Sequence, residues 1–162
     1  MPVIQNMAPP AQVAEAPTPK GGGVSVALPE RIPSECVDAS ARDYRISPFV
    51  LLAILKVESN GRTGLTNQNT NGTEDLGPSQ FNSGSWAKVL IVKYKIPKEA
   101  LLNDMCQSVR ALAFAVRTEV DGAGGDLWAG IGNYHSRTPV HHQKYIGLVY
   151  GAYRQMIVRG KF

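Results

Sequence analysis

The fold is decided by E-S-N-G-R-T-G-L-T-N-Q-N-T-N-G-T-E-D-L-G-P-S-Q-F-N-S, residues 58 to 83. The stretch opens with Glu58 at the end of an apolar run and closes past Gln80 and Asn82 on a serine. Residues 61 to 82 hold four Gly and four Asn, too many for a helix, and Asn71-Gly72 is a strong hairpin signal. This predicts a small irregular hairpin with Asp75 on its returning arm, 17 positions after Glu58. Two carboxylates on different backbone elements, with amide side chains beside them, are the minimum apparatus for breaking a glycosidic bond by general acid catalysis.

Upstream, Ser47-Pro48 offers a capping hydroxyl and a proline at the first helical position. Phe49, Leu51, Leu52, Ile54 and Leu55 follow as a buried helix, ended by Asn60-Gly61 soon after Glu58. At that end the helix dipole and the apolar surroundings both disfavour an ionised carboxyl, so the pKa of Glu58 should rise, as a general acid working near neutral pH requires. The plain alternative is an exposed Glu at a helix end. For Asp75 it is a turn-forming Asp bonded to its own hairpin backbone. Glu74 is a weaker rival, because adjacent residues of an extended arm point to opposite sides.

Ile32-Pro33-Ser34-Glu35 reads as a helix entry with Ser34 as cap, followed by Val37, Ala41 and Tyr44 at helical spacing. Residues 1 to 33, rich in Pro, Ala and Gly, read as a disordered tail or linker, which leaves 34 to 162 as the domain. Downstream, Ser83 or Ser85 caps a helix through Trp86 to Tyr94, ended before Pro97. One long helix is expected from about Lys98 to Val120, stopped by Gly122. Asp126 caps a short helix through Leu127, Trp128 and Ile131 into G-N-Y-H-S at 132 to 136. The last helix spans about Val140 to Val158, with Tyr145, Leu148, Val149, Ala152, Tyr153 and Met156 inward. The fold class is mainly α with one small β-hairpin.

With 162 residues and 43% hydrophobic content, the chain suits one domain with a real core. The formal charge of +4 is carried by residues 33 to 162, which hold fifteen Lys or Arg against eleven Asp or Glu. The excess suits an acidic polymer, but it is dispersed and not interleaved with aromatics, which argues against nucleic acid. No apolar run is long enough to span a bilayer, and the N-terminus lacks the charged-then-apolar pattern of a secretory signal. Cys36 and Cys106 form no C-x-x-C motif and have no His at zinc-ligand spacing, so no metal site is expected. They are either a disulfide or two buried thiols. His141 and His142 head a helix and should face solvent. Trp86, Trp128 and Tyr134 are candidates for stacking on sugar faces, with core packing the better reading for the tryptophans. Ser136 lacks His and Asp companions at a recognisable spacing.

These residues resemble a known family, the lysozyme-like lytic transglycosylases of bacteria, and most of all its small specialised members that accompany type IV secretion, type III secretion, conjugation and pilus systems. The resemblance rests on A-I-L-K-V-E-S-N-G at 53 to 61, on Asn67 to Ser83, and on G-N-Y-H-S at 132 to 136. Cys36 and Cys106 fall where related small members have cysteines. The resemblance implies a lysozyme-like α+β domain with the hairpin beside a catalytic cleft. It implies Glu58 as the catalytic acid/base, Ser59 as the serine that braces it, Gln80 and Asn82 as cleft-lining residues, and Tyr134 as the tyrosine that approaches Glu58. One departure stands out: after Gly77 the family usually has two apolar residues that wall the sugar subsites, where this chain has Pro78-Ser79.

The activity implied is cleavage of the β-1,4 bond between N-acetylmuramic acid and N-acetylglucosamine in peptidoglycan, with a 1,6-anhydro product and no cofactor. The alternatives are a muramidase that uses Glu58 and Asp75 with water, or a weakly active peptidoglycan-binding assembly module. The setting implied is the periplasm or cell exterior. The partners are glycan strands and components of a secretion, conjugation or pilus system, with no nucleic acid and no membrane span, and the protein acts as a monomer.

Overall fold

The computed structural model describes residues 26 to 162. Its elements are α1 (Ser34–Tyr44), α2 (Pro48–Ser59), β1 (Thr66–Gln68), β2 (Glu74–Leu76), β3 (Phe81–Asn82), α3 (Trp86–Lys88), α4 (Lys98–Asn103), α5 (Met105–Gly122), α6 (Leu127–His135) and α7 (Pro139–Arg159). A π-helical segment, Val89–Lys93, continues α3. The architecture is mainly helical, with a small antiparallel sheet in the order β1-β2-β3.

Helix α2 is buried over Val50 to Leu55 because its sequence there is apolar on every side. Pro48 occupies its first turn, where a missing N–H costs nothing. The Ser47 hydroxyl does not cap it, contrary to the sequence expectation. The Ser47 carbonyl takes the Val50 and Leu51 N–H groups instead, and the hydroxyl is buried without a partner. Asn60 ends the helix in the left-handed region at φ 55°. Helix α5 forms the centre of the core, with Val109 and Ala111 to Val116 buried. The Cys36–Cys106 disulfide joins it to α1, with Cα atoms 5.2 Å apart, which decides between the two states that the sequence left open.

Four other expectations need correction. The segment 26–33 is packed: Ala27 N–H donates to Gly160 O and Phe162 N–H to Ala27 O, both at 2.9 Å. Arg31 donates to the Asn60 and Gly61 carbonyls beyond α2, and Ile32 is buried. The segment's partners lie 29 and 30 residues away, just past α2, and at the far end of the chain, all out of reach of local composition. Residues 1–25 of the expected tail lie outside the described residues. Pro33, not Ser34, stands at the cap position of α1, and the helix begins at Ser34 itself. The helix expected over Lys98 to Val120 breaks at Asp104, which is extended and whose carboxylate accepts the Gln107 N–H to start α5. In α7, Tyr145, Val149 and Met156 are buried as expected, but Leu148 is 51% exposed. No helix among the described residues is long and apolar enough to cross a membrane.

The hairpin is as the Asn-Gly signal required, with a third strand added. Thr66, Asn67 and Gln68 pair with Leu76, Asp75 and Glu74, and Asp75 and Leu76 pair in turn with Asn82 and Phe81. Leu76 and Phe81 are buried and root the sheet in the helical core. Asp75, between Glu74 and Leu76, points to the other side. The strand β3 escapes sequence reading because it is two residues long.

Candidate active site

The sheet, the end of α2, and parts of α3, α6 and α7 enclose an open cleft of about 710 Å³, lined among others by Glu58, Asp75, Trp86, Tyr134, His135 and His141. Both candidate carboxylates therefore face one space. Glu58 enters it because α2 stays helical through Ser59, one residue beyond the glutamate. Asp75 enters it through strand alternation. Glu74 faces away, bonded to Lys98 Nζ at 2.7 Å and to Gln68 Nε2 at 3.1 Å.

Burial drives the Glu58 carboxyl up from its ordinary range to about 8, and the Asp75 carboxylate pushes it in the same direction. One interaction opposes them: the Tyr145 hydroxyl donates to Glu58 Oε2 at 3.1 Å, which favours the ionised form. The sum leaves Glu58 protonated at neutral pH while it borders an open cleft. Tyr145 lies near the start of α7 and is buried, and its own phenol is held well above the ordinary range by burial and by Glu58. The sequence placed Tyr145 on the inward face of the last helix but gave no sign of this contact, because the two residues are 87 positions apart.

Tyr134, the tyrosine expected to approach Glu58, lines the cleft, but its hydroxyl is committed elsewhere. It donates to Ser79 O at 2.6 Å, and its ring meets Phe81 edge to face. The phenol is raised well above its ordinary range by burial first and by Glu58 second. Ser59 braces the loop behind the acid and not the carboxyl itself: its hydroxyl donates to Pro78 O at 2.8 Å and accepts the Arg62 N–H at 3.2 Å. Asn82 Nδ2 donates to Asp75 Oδ1 at 2.9 Å and so fixes the second carboxylate. Gln80 reaches the cleft with its amide already engaged, Oε1 by Asn67 at 2.6 Å and Nε2 by Gly77 O at 2.8 Å.

The Pro78-Ser79 pair lies behind the cleft wall, with both residues buried. Pro78 O accepts from α2 and Ser79 O from α6, while the Ser79 hydroxyl meets that of Ser108 on α5 at 2.8 Å. Three helices are thus tied to one turn by groups that an apolar pair would only partly supply. Trp86 both packs on Phe114 and lines the cleft, whereas Trp128 packs edge-on to Tyr150 and Tyr153. His141 is exposed, as expected. His142 is half-buried against Gly132, with Nδ1 at 3.1 Å from Ser136 O. Among the described residues no group of three or more His, Cys, Asp or Glu is arranged to hold a metal ion.

Chemically, the cleft offers a protonated carboxyl, a second carboxylate fixed by an amide, and a rim of Asn, Gln and Thr amides and hydroxyls along β1 and its turn. That set suits a neutral, hydroxyl-rich ligand whose reaction develops positive charge. No family model matches the chain, and no curated protein matches it.

Proposed function

We propose that this chain is a peptidoglycan lytic transglycosylase that cleaves the β-1,4 bond between N-acetylmuramic acid and N-acetylglucosamine. The observation that carries the reading is Glu58, a carboxyl raised to about 8 on the wall of an open cleft and facing the same space as Asp75. An acid with that affinity holds its proton at neutral pH and releases it to an oxygen whose bond is breaking.

In the proposed reaction Glu58 donates its proton to the glycosidic oxygen as the bond to the muramoyl anomeric carbon breaks. Positive charge grows on the sugar ring, and the Asp75 carboxylate, held by Asn82, stabilises it. Glu58, now ionised, takes the proton from the muramoyl 6-hydroxyl. That oxygen closes on its own anomeric carbon, giving a 1,6-anhydro sugar and restoring the acid. The nucleophile is already part of the substrate, so the second step is intramolecular.

A muramidase outcome is the second reading, and the fixed position of Asp75 in the cleft favours it. The same two carboxylates would then admit water and give a reducing sugar. The Cys36–Cys106 disulfide fits an oxidising compartment, which supports the periplasm or cell exterior as the place of action. Local opening of the wall for a secretion, conjugation or pilus apparatus is the role we infer from the resemblance of residues 53–61 and 67–83.

Mass spectrometry of the fragments released from purified peptidoglycan tests the proposal. Fragments about 18 Da lighter than reducing-end species, the loss of one water expected of intramolecular closure, and no release by Glu58→Gln are the expected results. Reducing ends would move the assignment to the muramidase. No release by the unaltered protein, with binding to peptidoglycan retained, would leave a binding module.

A further inference from the structure

We propose that His135 is a positioning residue for the proton donor: its imidazole lies flat against the Tyr145 ring and holds the phenol in the direction that reaches Glu58. The inference rests on the reading of Glu58 as the acid. The two rings are stacked, with centroids 4.4 Å apart and planes inclined by 11°. Tyr145 in turn donates to Glu58 Oε2. His135 ends α6, Glu58 lies at the end of α2 and Tyr145 lies within α7, and the three form one chain of contact from cleft to acid.

Exposure assigns the parts. Tyr145 is only 3% exposed while His135 is exposed and lines the cleft, so the imidazole is the layer between the phenol and solvent. Its own place is fixed from behind. Ser136 N–H closes α6 on Gly132 O, and His142 of α7 has Nδ1 at 3.1 Å from Ser136 O while its ring fills the space over Gly132. The backbone that carries His135 is thus locked to the same helix that carries Tyr145. The charged and titratable groups around the stack are Asp75 from β2, His141 from α7, Glu58 from α2 and Tyr134 from α6. Partial desolvation of the face turned to Tyr145 lowers the imidazole's affinity for protons, and Asp75 opposes that.

The consequence for Glu58 is directional. A phenol that donates to Oε2 engages that oxygen as an acceptor in either ionisation state, which leaves the proton to Oε1. Among the described residues no hydrogen bond reaches Oε1. The clamp therefore sets which oxygen delivers the proton.

The test compares His135→Ala and His135→Phe with the unaltered protein. Turnover and KM are measured on purified peptidoglycan, and the Glu58 carboxyl is followed by carbon NMR across pH. His135 is exposed, so neither variant threatens the core. In His135→Ala the phenol loosens, the bond that favours the ionised form weakens, and the Glu58 midpoint moves upward by about 0.5. Turnover falls about tenfold with KM within about twofold, since a displaced acid mainly costs the chemical step. His135→Phe keeps a flat ring and restores most of the lost turnover.

A downward movement of the midpoint in His135→Ala would mean that the imidazole only keeps water from Glu58, and would overturn the clamp. So would an unchanged midpoint, or a His135→Phe variant as impaired as the alanine. Should the unaltered protein release no fragments, the transglycosylase reading fails, while the NMR midpoints still decide whether His135 acts on Glu58.

Discussion

Glu58 carries a cost in the folded protein, because its carboxyl must lose water that an unfolded chain would leave in place. The sign follows from its raised affinity for protons. Below about 4.5 both folded and unfolded forms hold the proton, and Glu58 contributes nothing to the pH dependence of stability. Between there and about 8 only the folded form holds it, so stability falls as pH rises, and the penalty is complete above that range. Glu58→Gln should therefore stabilise the protein most at pH 8 to 9 and hardly at all at pH 4. The full displacement would amount to about 5 kcal/mol, but the cleft admits water, so about 2 kcal/mol is the expected gain. Urea unfolding at the two pH values measures it. Tyr145→Phe acts on the same group in the other direction: it removes the donor that favours the ionised carboxyl and should move the alkaline limb of the activity profile to higher pH, with turnover reduced about tenfold.

At the scale of elements, the hairpin and the end of α2 make the site by holding two carboxylates on one space. The joint between them is the turn at 77 to 80. Gly77 has φ 70°, its N–H donates to Leu65 O at 2.7 Å, and a Cβ there would run into the Leu101 carbonyl of α4. Gly77→Ala should cost about 3 kcal/mol or more, because backbone conformation and space are both violated. Chemical denaturation would show it as a lower midpoint with an unchanged slope. Asp104→Ala removes the cap that starts α5 and should cost about 1 kcal/mol by the same assay.

These elements also mark what was legible in the sequence. The Asn71-Gly72 turn, the stop at Asn60-Gly61 and the cap at Asp126 are local signals, and each stands where it was read. The break at Asp104 was missed because the apolar pattern continues through it. The bond from Tyr145 to Glu58 and the commitment of Tyr134 to Ser79 depend on contacts between distant residues, which periodicity does not encode, and the third strand is too short to leave a pattern.

Over the whole molecule, two long-range ties close the chain on itself. The disulfide spans 70 residues and joins α1 to the start of α5, and the bridge from Ala27 to Lys161 joins the first described residues to the last. In the chain-entropy view a loop of that length stabilises by about 4 kcal/mol, so reduction, or a Cys36→Ser/Cys106→Ser pair, should lower stability by about that amount. Thermal unfolding with and without reductant measures it. The site should persist in the reduced protein at low temperature, since neither cysteine lines the cleft.

Everything proposed for the cleft turns on Glu58 holding its proton at neutral pH. Carbon NMR of the labelled carboxyl, titrated from pH 3 to 10, tests it directly. A midpoint near 8 is the predicted result. A midpoint near 4.5, the ordinary value of a glutamate, would contradict the account, because Glu58 would then be ionised at neutral pH with no proton to give.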